Sequence, residues 1–507
     1  MGLIGGVFLT TACDGGRAQV ITRRPVPPPP AVDPVSPVLW VALGARLGRT
    51  GSGGSPPLVL EGAEGELRLS DRAGQVWSAS SIRLRWEAAP LPEPLTIRRS
   101  VLGPFPSFES AEQVARRWRE ASVDAEIAYP AEWEVWASPD ASPPAGYEAT
   151  VHEEVLETTL RPVLEGATTG DGGPLRFEGV LSLKAPGGLR WGGGVFKGPF
   201  RLQTDAYGTW TLLEQVSLER YLLGVVPHEI GASAPATSQS AQAILARTWA
   251  LSNSHRFHVD GYHLCSDTQC QVYKDPGQAS GPVARAVQAT AGQVLTWQGQ
   301  PIHAVYHASN GGVRAGYQEA WSGSAPPYLT PASDGGPAFI QRVRLPLTSD
   351  EDVASLIDAP AGAYGQRHPL FRWTRSLEAD GLSSALAVAG CPVGRPERIE
   401  VVERGPSGRV IALSITGSAG ETHLRLDEIR RTLRNLPSTL FLVEPGGPGR
   451  WRFRGGGFGH GAGLSQAGAM DLAHRGWSTE AILSRYYPGA QLRPLVQMSG
   501  PAPLQDP

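Results

Sequence analysis

Arg454-Gly-Gly-Gly-Phe-Gly-His-Gly-Ala-Gly-Leu-Ser-Gln-Ala-Gly-Ala-Met470 is the stretch on which the reading of this chain turns, and Tyr486-Tyr-Pro-Gly-Ala-Gln-Leu492 closes it. Five glycines lie between Gly455 and Gly461. Each costs about 1 kcal/mol in a helix relative to alanine, so this segment reads as a loop. A glycine loop lets backbone come close to a ligand and presents the side chains set along it, here His460, Ser465 and Gln466. Directly afterwards Leu472 and Ala473, then Ile482 and Leu483, pair at helical spacing.

A second informative segment lies upstream. Val216-Ser-Leu-Glu-Arg-Tyr-Leu-Leu-Gly-Val-Val-Pro-His-Glu-Ile230 is followed by Ser240-Ala-Gln-Ala-Ile-Leu-Ala-Arg-Thr-Trp-Ala-Leu251. Residues 222–226 read as a strand that Pro227 ends, and residues 238–254 as a helix, so Glu229 falls at a strand-to-helix junction between Val226 and Ile230. Partial desolvation there raises a carboxyl's pKa and keeps it protonated near neutrality, as an acid catalyst needs. Glu219 reads as structural, paired with Arg220 or Arg247. Arg247 either meets an acidic group of a substrate or simply holds Glu219. Around His307-Ala-Ser-Asn-Gly-Gly312 the neutral hydrogen-bonding groups His307, Ser309 and Asn310 join His460, Ser465 and Gln466, with the rings of Tyr306, Trp321 and Tyr328 nearby in sequence. Neutral donors and acceptors beside apolar faces suit a sugar.

These segments together resemble the SpoIID/LytB family, named after the stage II sporulation protein D and a cell-wall amidase enhancer. The upstream segment is similar to the family pattern LExYLxGVVPxE … AQAxxARTxAL, with every fixed letter present. His307–Gly312 resembles its HSxSGG turn, departing at Ala308 and Asn310. Ser438-Thr-Leu-Phe-Leu-Val443 resembles its S-x-x-F-x-V strand, and the glycine loop its C-terminal signature. The four matches, in family order, cover roughly the C-terminal two-thirds of the chain.

The resemblance implies an α+β fold: a β-rich core with a helix after the catalytic Glu229. It implies an enzyme that needs no cofactor, a lytic transglycosylase cleaving peptidoglycan glycan strands between N-acetylmuramic acid and N-acetylglucosamine and leaving a 1,6-anhydro end. One carboxyl suffices: Glu229 protonates the leaving oxygen, then accepts the proton of the attacking C6 hydroxyl. The paired carboxylates of most glycosidases are not needed. The alternative within the same family is a non-catalytic amidase enhancer that binds the wall or an amidase. In some members two cysteines and two histidines here bind zinc. This chain has Gln269 where one of those histidines stands, so His258 and His263 would have to join Cys265 and Cys270, while a Cys265–Cys270 disulfide is the other reading.

Composition narrows the classes. A chain of 507 residues with 41% hydrophobic residues suggests several packed units. A net charge of −3 gives no basic face for nucleic acid. The glycine runs at 192–194 and 455–457 lack the Lys-Ser/Thr that a phosphate loop requires.

The start, Met1-Gly-Leu-Ile-Gly-Gly-Val-Phe-Leu-Thr-Thr-Ala-Cys13, is too short to span a bilayer and reads as an export signal, with Cys13 as the lipidated residue of a membrane-anchored protein facing the wall or periplasm. A cleaved soluble export signal is the alternative. Residues 14–37, with Pro25-Val-Pro-Pro-Pro-Pro30, form an extended tether. Residues 38–94 read as a small β-rich lead-in. Residues 95–136, strand–helix–strand–strand with Ser107 as helix cap, resemble part of a SPOR domain, which would bind glycan stripped of its peptides. Residues 137–174 read as linker and strands, 175–495 as the SpoIID/LytB core, and 496–507 as a tail.

Overall fold

The computed structural model describes residues 20–49, 54–170 and 172–495. Cys13, the export signal and the tail lie outside the described residues. Helices and strands are mixed, as α+β requires, with strands dominating the first two hundred residues.

A seven-stranded sheet organises the molecule, in the order Leu264–Cys265, Val38–Leu47, Trp210–Ser217, Phe200–Thr204, Leu181–Lys184, Leu67–Ser70, Val76–Ala79. Period-two alternation along Val38–Leu47 assigns its faces. Leu39, Val41 and Leu43 enter the main core with Leu212, Leu222, Ile244 and Leu464, while Trp40 and Ala42 enter a second cluster with Phe108, Trp118 and Trp133. The lead-in and the part of the chain after residue 175 therefore share one sheet and one core. The boundary read at 94/95 falls inside a single strand, Ser81–Phe105, which pairs with Thr150–Thr168 over most of its length.

Residues 100–137 do follow the strand–helix–strand–strand order. The helix is α1 (Phe108–Glu120), capped by the Ser107 hydroxyl accepting from Ser110 N. Its charged face is tied to the rest of the chain by Glu109 with Arg256, Glu112 with His255 at 2.8 Å, and Ser110 donating to Asp427 at 2.9 Å.

Two expectations are corrected here. The proline-rich segment is extended but not free: Arg23 pairs with Glu126 at 2.7 Å, Val26 is buried, and Pro30 O accepts from His263 at 2.8 Å. Proline carbonyls remain good acceptors, and the chain body supplies the donors. Residues 222–226, read as a strand, belong to helix α2 (Leu218–Val226), which continues through Pro227 into a π-helical turn, Pro227–Gly231. Tyr221, Leu222, Val225 and Val226 are all fully buried, and an apolar run buried on every side carries no periodicity to separate helix from strand. After the turn comes α3 (Ala236–Ser252), at the heart of the core.

Residues 370–455 form a further region with its own apolar cluster around Leu413, Ile415, Phe441 and Phe453, built on two three-stranded sheets. Among the described residues no helix is long and apolar enough to cross a membrane.

Candidate active site

Glu229 sits on the π-helical turn, where one extra residue in the turn widens the ring and redirects a side chain. It is half-buried. Its Oε1 accepts a hydrogen bond from Val272 N at 2.9 Å. Burial pushes its carboxyl above the usual range, partly offset by the Val272 amide and by the Tyr306 hydroxyl and Gln466 amide that face it. No cation and no second carboxylate contributes to that balance. Desolvation opposed only by neutral donors favours the protonated acid.

Tyr306 is oriented by a relay. Gln271, buried, accepts from Tyr221 OH at 3.2 Å and donates from Nε2 to Tyr306 OH at 2.9 Å, which leaves the Tyr306 proton free to point at Glu229. Burial and the neighbouring Glu229 both push the Tyr306 phenol far up, so it remains a neutral donor. Gln466 opens the helix Gln466–His474 and donates to Gln242 Oε1 at 3.3 Å, and the buried Gln242 Nε2 has no protein partner.

The two histidines stand behind this group. His460 donates from Nε2 to Tyr306 O at 2.9 Å and accepts at Nδ1 from Ala462 N at 3.2 Å. Burial lowers its pKa to about 3, so it is neutral at any ordinary pH. His307 donates from Nδ1 to Ala462 O at 3.0 Å, is likewise held neutral by burial, and leaves Nε2 unpartnered. The parallel pairing of Tyr306–His307 with Leu464–Ser465 brings the two distant sequence motifs side by side.

Other expected site residues serve the scaffold instead. Arg247 is fully buried and spends Nε and NH2 on the two oxygens of Glu219, each at 2.7 Å, and NH1 on Gln293 O. It is not placed to meet a substrate, and of the two roles read for it the structure has the one of holding Glu219. Asn310, also fully buried, donates to Asp334 at 2.7 Å and accepts from Gly312 N. Ser465 caps the helix Gln466–His474 by accepting from Gly468 N at 3.2 Å. Ser309 accepts from Gly311 N and is buried. Each was read as a sugar contact because a polar side chain on a glycine turn looks available. Such side chains also satisfy the backbone donors that turns expose, and here they do that.

The zinc reading is corrected as well. Cys265 and Cys270 form a disulfide. His263 is buried with both ring nitrogens engaged, accepting from Trp40 N at 2.8 Å and donating to Pro30 O, and exposed His258 lies beside Arg23 and Glu126. These histidines do not fit a tetrahedral set with the two sulfurs. Among the described residues no cluster of three or more His, Cys, Asp or Glu could hold a metal. The disulfide has a different consequence: it ties the end of the strand Leu264–Cys265 to Cys270, which leads directly into Gln271 and Val272, the two residues that hydrogen-bond Tyr306 and Glu229.

Gln271, Val272, Gln242 and Tyr221 were not singled out from sequence. Gln242 and Tyr221 stand inside the quoted motifs and Gln271 follows Cys270 directly, but an uncharged residue gives no sign in sequence of which neighbour it orients.

A half-buried carboxylic acid among neutral donors has what a group that gives and takes a proton needs. The stage II sporulation protein family matches residues 206–297, which hold Glu229 and its relay up to Val272, and a domain of unknown function (DUF8618) matches residues 315–463. The chain is similar to stage II sporulation protein D of Bacillus amyloliquefaciens, at 27% identity over 55% of this chain and 75% of the relative. It is also similar to that of Bacillus subtilis (strain 168), at 27% over the same shares, and to the amidase enhancer of the same strain, at 28% over 54% of this chain and 40% of the relative. Residues 206–297 thus carry a stage II sporulation protein (SpoIID) domain, and the similarity to these relatives extends over just more than half of the chain.

Proposed function

We propose that the protein acts on the bacterial cell wall as a lytic transglycosylase, with Glu229 as its only catalytic carboxyl. The observation that carries this reading is the company Glu229 keeps: it is half-buried, pushed toward the protonated state, and bordered by an amide, a phenol and a carboxamide with no second acid. A retaining or inverting hydrolase would need a partner carboxylate across the scissile bond. A transglycosylase uses one group twice, as acid toward the leaving oxygen and as base toward the C6 hydroxyl. Tyr306 and Gln466 would steady the carboxylate between the two steps.

Mass spectrometry of peptide-stripped glycan incubated with the purified protein tests this, the expected product being strands ending in 1,6-anhydro-N-acetylmuramic acid. The amidase-enhancer similarity supports a second reading, in which the protein binds the wall or an amidase and cleaves nothing. Absence of anhydro ends, together with faster release of peptides by an added amidase, would replace the first reading with the second. The SPOR-like reading of residues 95–136 and the lipid anchor at Cys13 belong to the same proposal; a Cys13→Ser protein that still fractionates with membranes would remove the anchor.

A further inference from the structure

Two of the three rings expected to supply apolar faces for a sugar are not available on the surface. Trp321 is 5% exposed and Tyr328 7%. One aromatic is different. Among the described residues, ten large hydrophobic side chains are exposed; nine are Val or Ile, and the tenth is Phe458, at 42%. It stands in the middle of the glycine loop, two residues before His460.

The backbone there is held hard against the strand that carries Tyr306. Phe458 N donates to Ser309 O at 2.7 Å, and Ser309 N donates to Phe458 O at 3.1 Å. Gly457 and Gly459 on either side have φ of +85° and +113°, and a Cβ on either would lie 2.6 Å from Ser309 O or from His307 Cβ. Gly459 N donates to Pro437 O, and Gly457 O accepts from Trp373 Nε1 at 2.9 Å. The glycines are thus required by the close approach, and the one side chain in that tight ribbon is a large apolar ring left in water. Phe458 is thus held by backbone hydrogen bonds to Ser309 and flanked by two closely packed glycines while it stays open to solvent.

We propose that Phe458 is an aromatic platform for the apolar face of a glycan residue, forming a subsite beside the one at Glu229. Ser309, opposite Phe458, is three residues from Tyr306, no more than about 11 Å of chain. Tyr306 faces Glu229, and His460 ties the loop to Tyr306 O a second time. On this proposal a sugar next to the one at Glu229 rests on the ring. A flat ring recognises the C–H face of a pyranose without reading its peptide substituent, which leaves hydroxyl and acetamido groups to neutral donors such as Gln466 and Gln242.

This inference rests on the reading of the cleft as a glycan site, so the test separates the two. In a Glu229→Gln background, which cannot turn over, peptide-stripped glycan oligosaccharides are titrated calorimetrically. Adding Phe458→Ala should raise Kd about tenfold, and Phe458→Trp should return it to within about twofold of the parent. An unchanged Kd for Phe458→Ala overturns the platform while leaving the glycan site intact. No heat and no binding in the folded Glu229→Gln parent overturns the glycan site, and the platform with it.

Discussion

Glu219 and Glu229 stand at the two ends of one continuous helical segment, α2 and its π-helical extension, and they have opposite fates. Glu219 is met by the buried Arg247 on both oxygens and by Gly292 N. Glu229 is met only by neutral groups in a partly dry setting. The same side chain is therefore ion-paired at one end and, at the other, set among dipoles where burial raises its pKa. The difference comes from what the neighbouring elements bring: α3 delivers a guanidinium to the first, while the disulfide-anchored segment and the Tyr306 strand deliver dipoles to the second. A carboxylate with a full positive partner holds a fold together; one with dipoles alone can lose and regain a proton.

The sharpest break of this comparison is Glu229→Gln. Size and hydrogen bonding are kept and the transferable proton is lost, so formation of anhydro ends should fall by at least about 100-fold. Stability should move the other way. A carboxyl whose folded pKa is raised above its unfolded value binds its proton longer in the folded state, so stability is lost as pH rises from the unfolded toward the folded pKa. The glutamine protein should lack that loss and be no less stable than the parent above neutrality in urea unfolding. A variant that is both inactive and clearly destabilised would show that Glu229 is a structural anion like Glu219.

Glu219→Gln is the mirror experiment. It removes the negative charge opposite the fully buried Arg247 and leaves one side-chain oxygen where two accepted, beside Gln293 O and Ala243 O. Because the Glu219 side chain is 41% exposed, the cost should sit below that of a fully buried pair, about 2–3 kcal/mol by urea unfolding. Turnover by the protein that remains folded should be nearly unchanged. A large loss of turnover without loss of stability would restore a substrate role to Arg247.

How far these fates could be read in advance depends on the kind of force involved. Glu219 as the structural partner of Arg247 was legible because an ionisable group inside a dense motif leaves few roles open, and the half-buried setting of Glu229 followed from its apolar neighbours Val226 and Ile230. The strand-rich lead-in from residue 38 and the helix Phe108–Glu120 with its Ser107 cap were legible from local pattern. What was not legible is whatever depends on long-range closure. Leu218–Val226 is buried on all faces, so its period is silent. Ser309, Asn310 and Ser465 look free until the two glycine turns are seen locked together through Ser309 and Phe458. The proline segment looks like a tether until Glu126 and His263, more than one hundred and two hundred residues on, are seen to receive it.

The finest test of the comparison is Gln271, which touches Glu229 only through Tyr306. With Gln271→Leu the Tyr306 hydroxyl loses its 2.9 Å donor and the buried Tyr221 hydroxyl loses its acceptor. Tyr306 is then free to turn its proton away from Glu229, removing one of the three groups that offset desolvation. The carboxyl should become still harder to ionise, so the alkaline limb of the kcat profile should move to higher pH. The maximal rate should fall about tenfold, since a misaimed partner is a loss of orientation and not of the acid itself. KM for glycan should change less than kcat, because the platform at Phe458 and the Gln466–Gln242 pair are untouched. A uniform drop in rate with no displacement of the pH profile would mean that Gln271 only fills space, and Glu229 would then owe its state to burial and the Val272 amide alone.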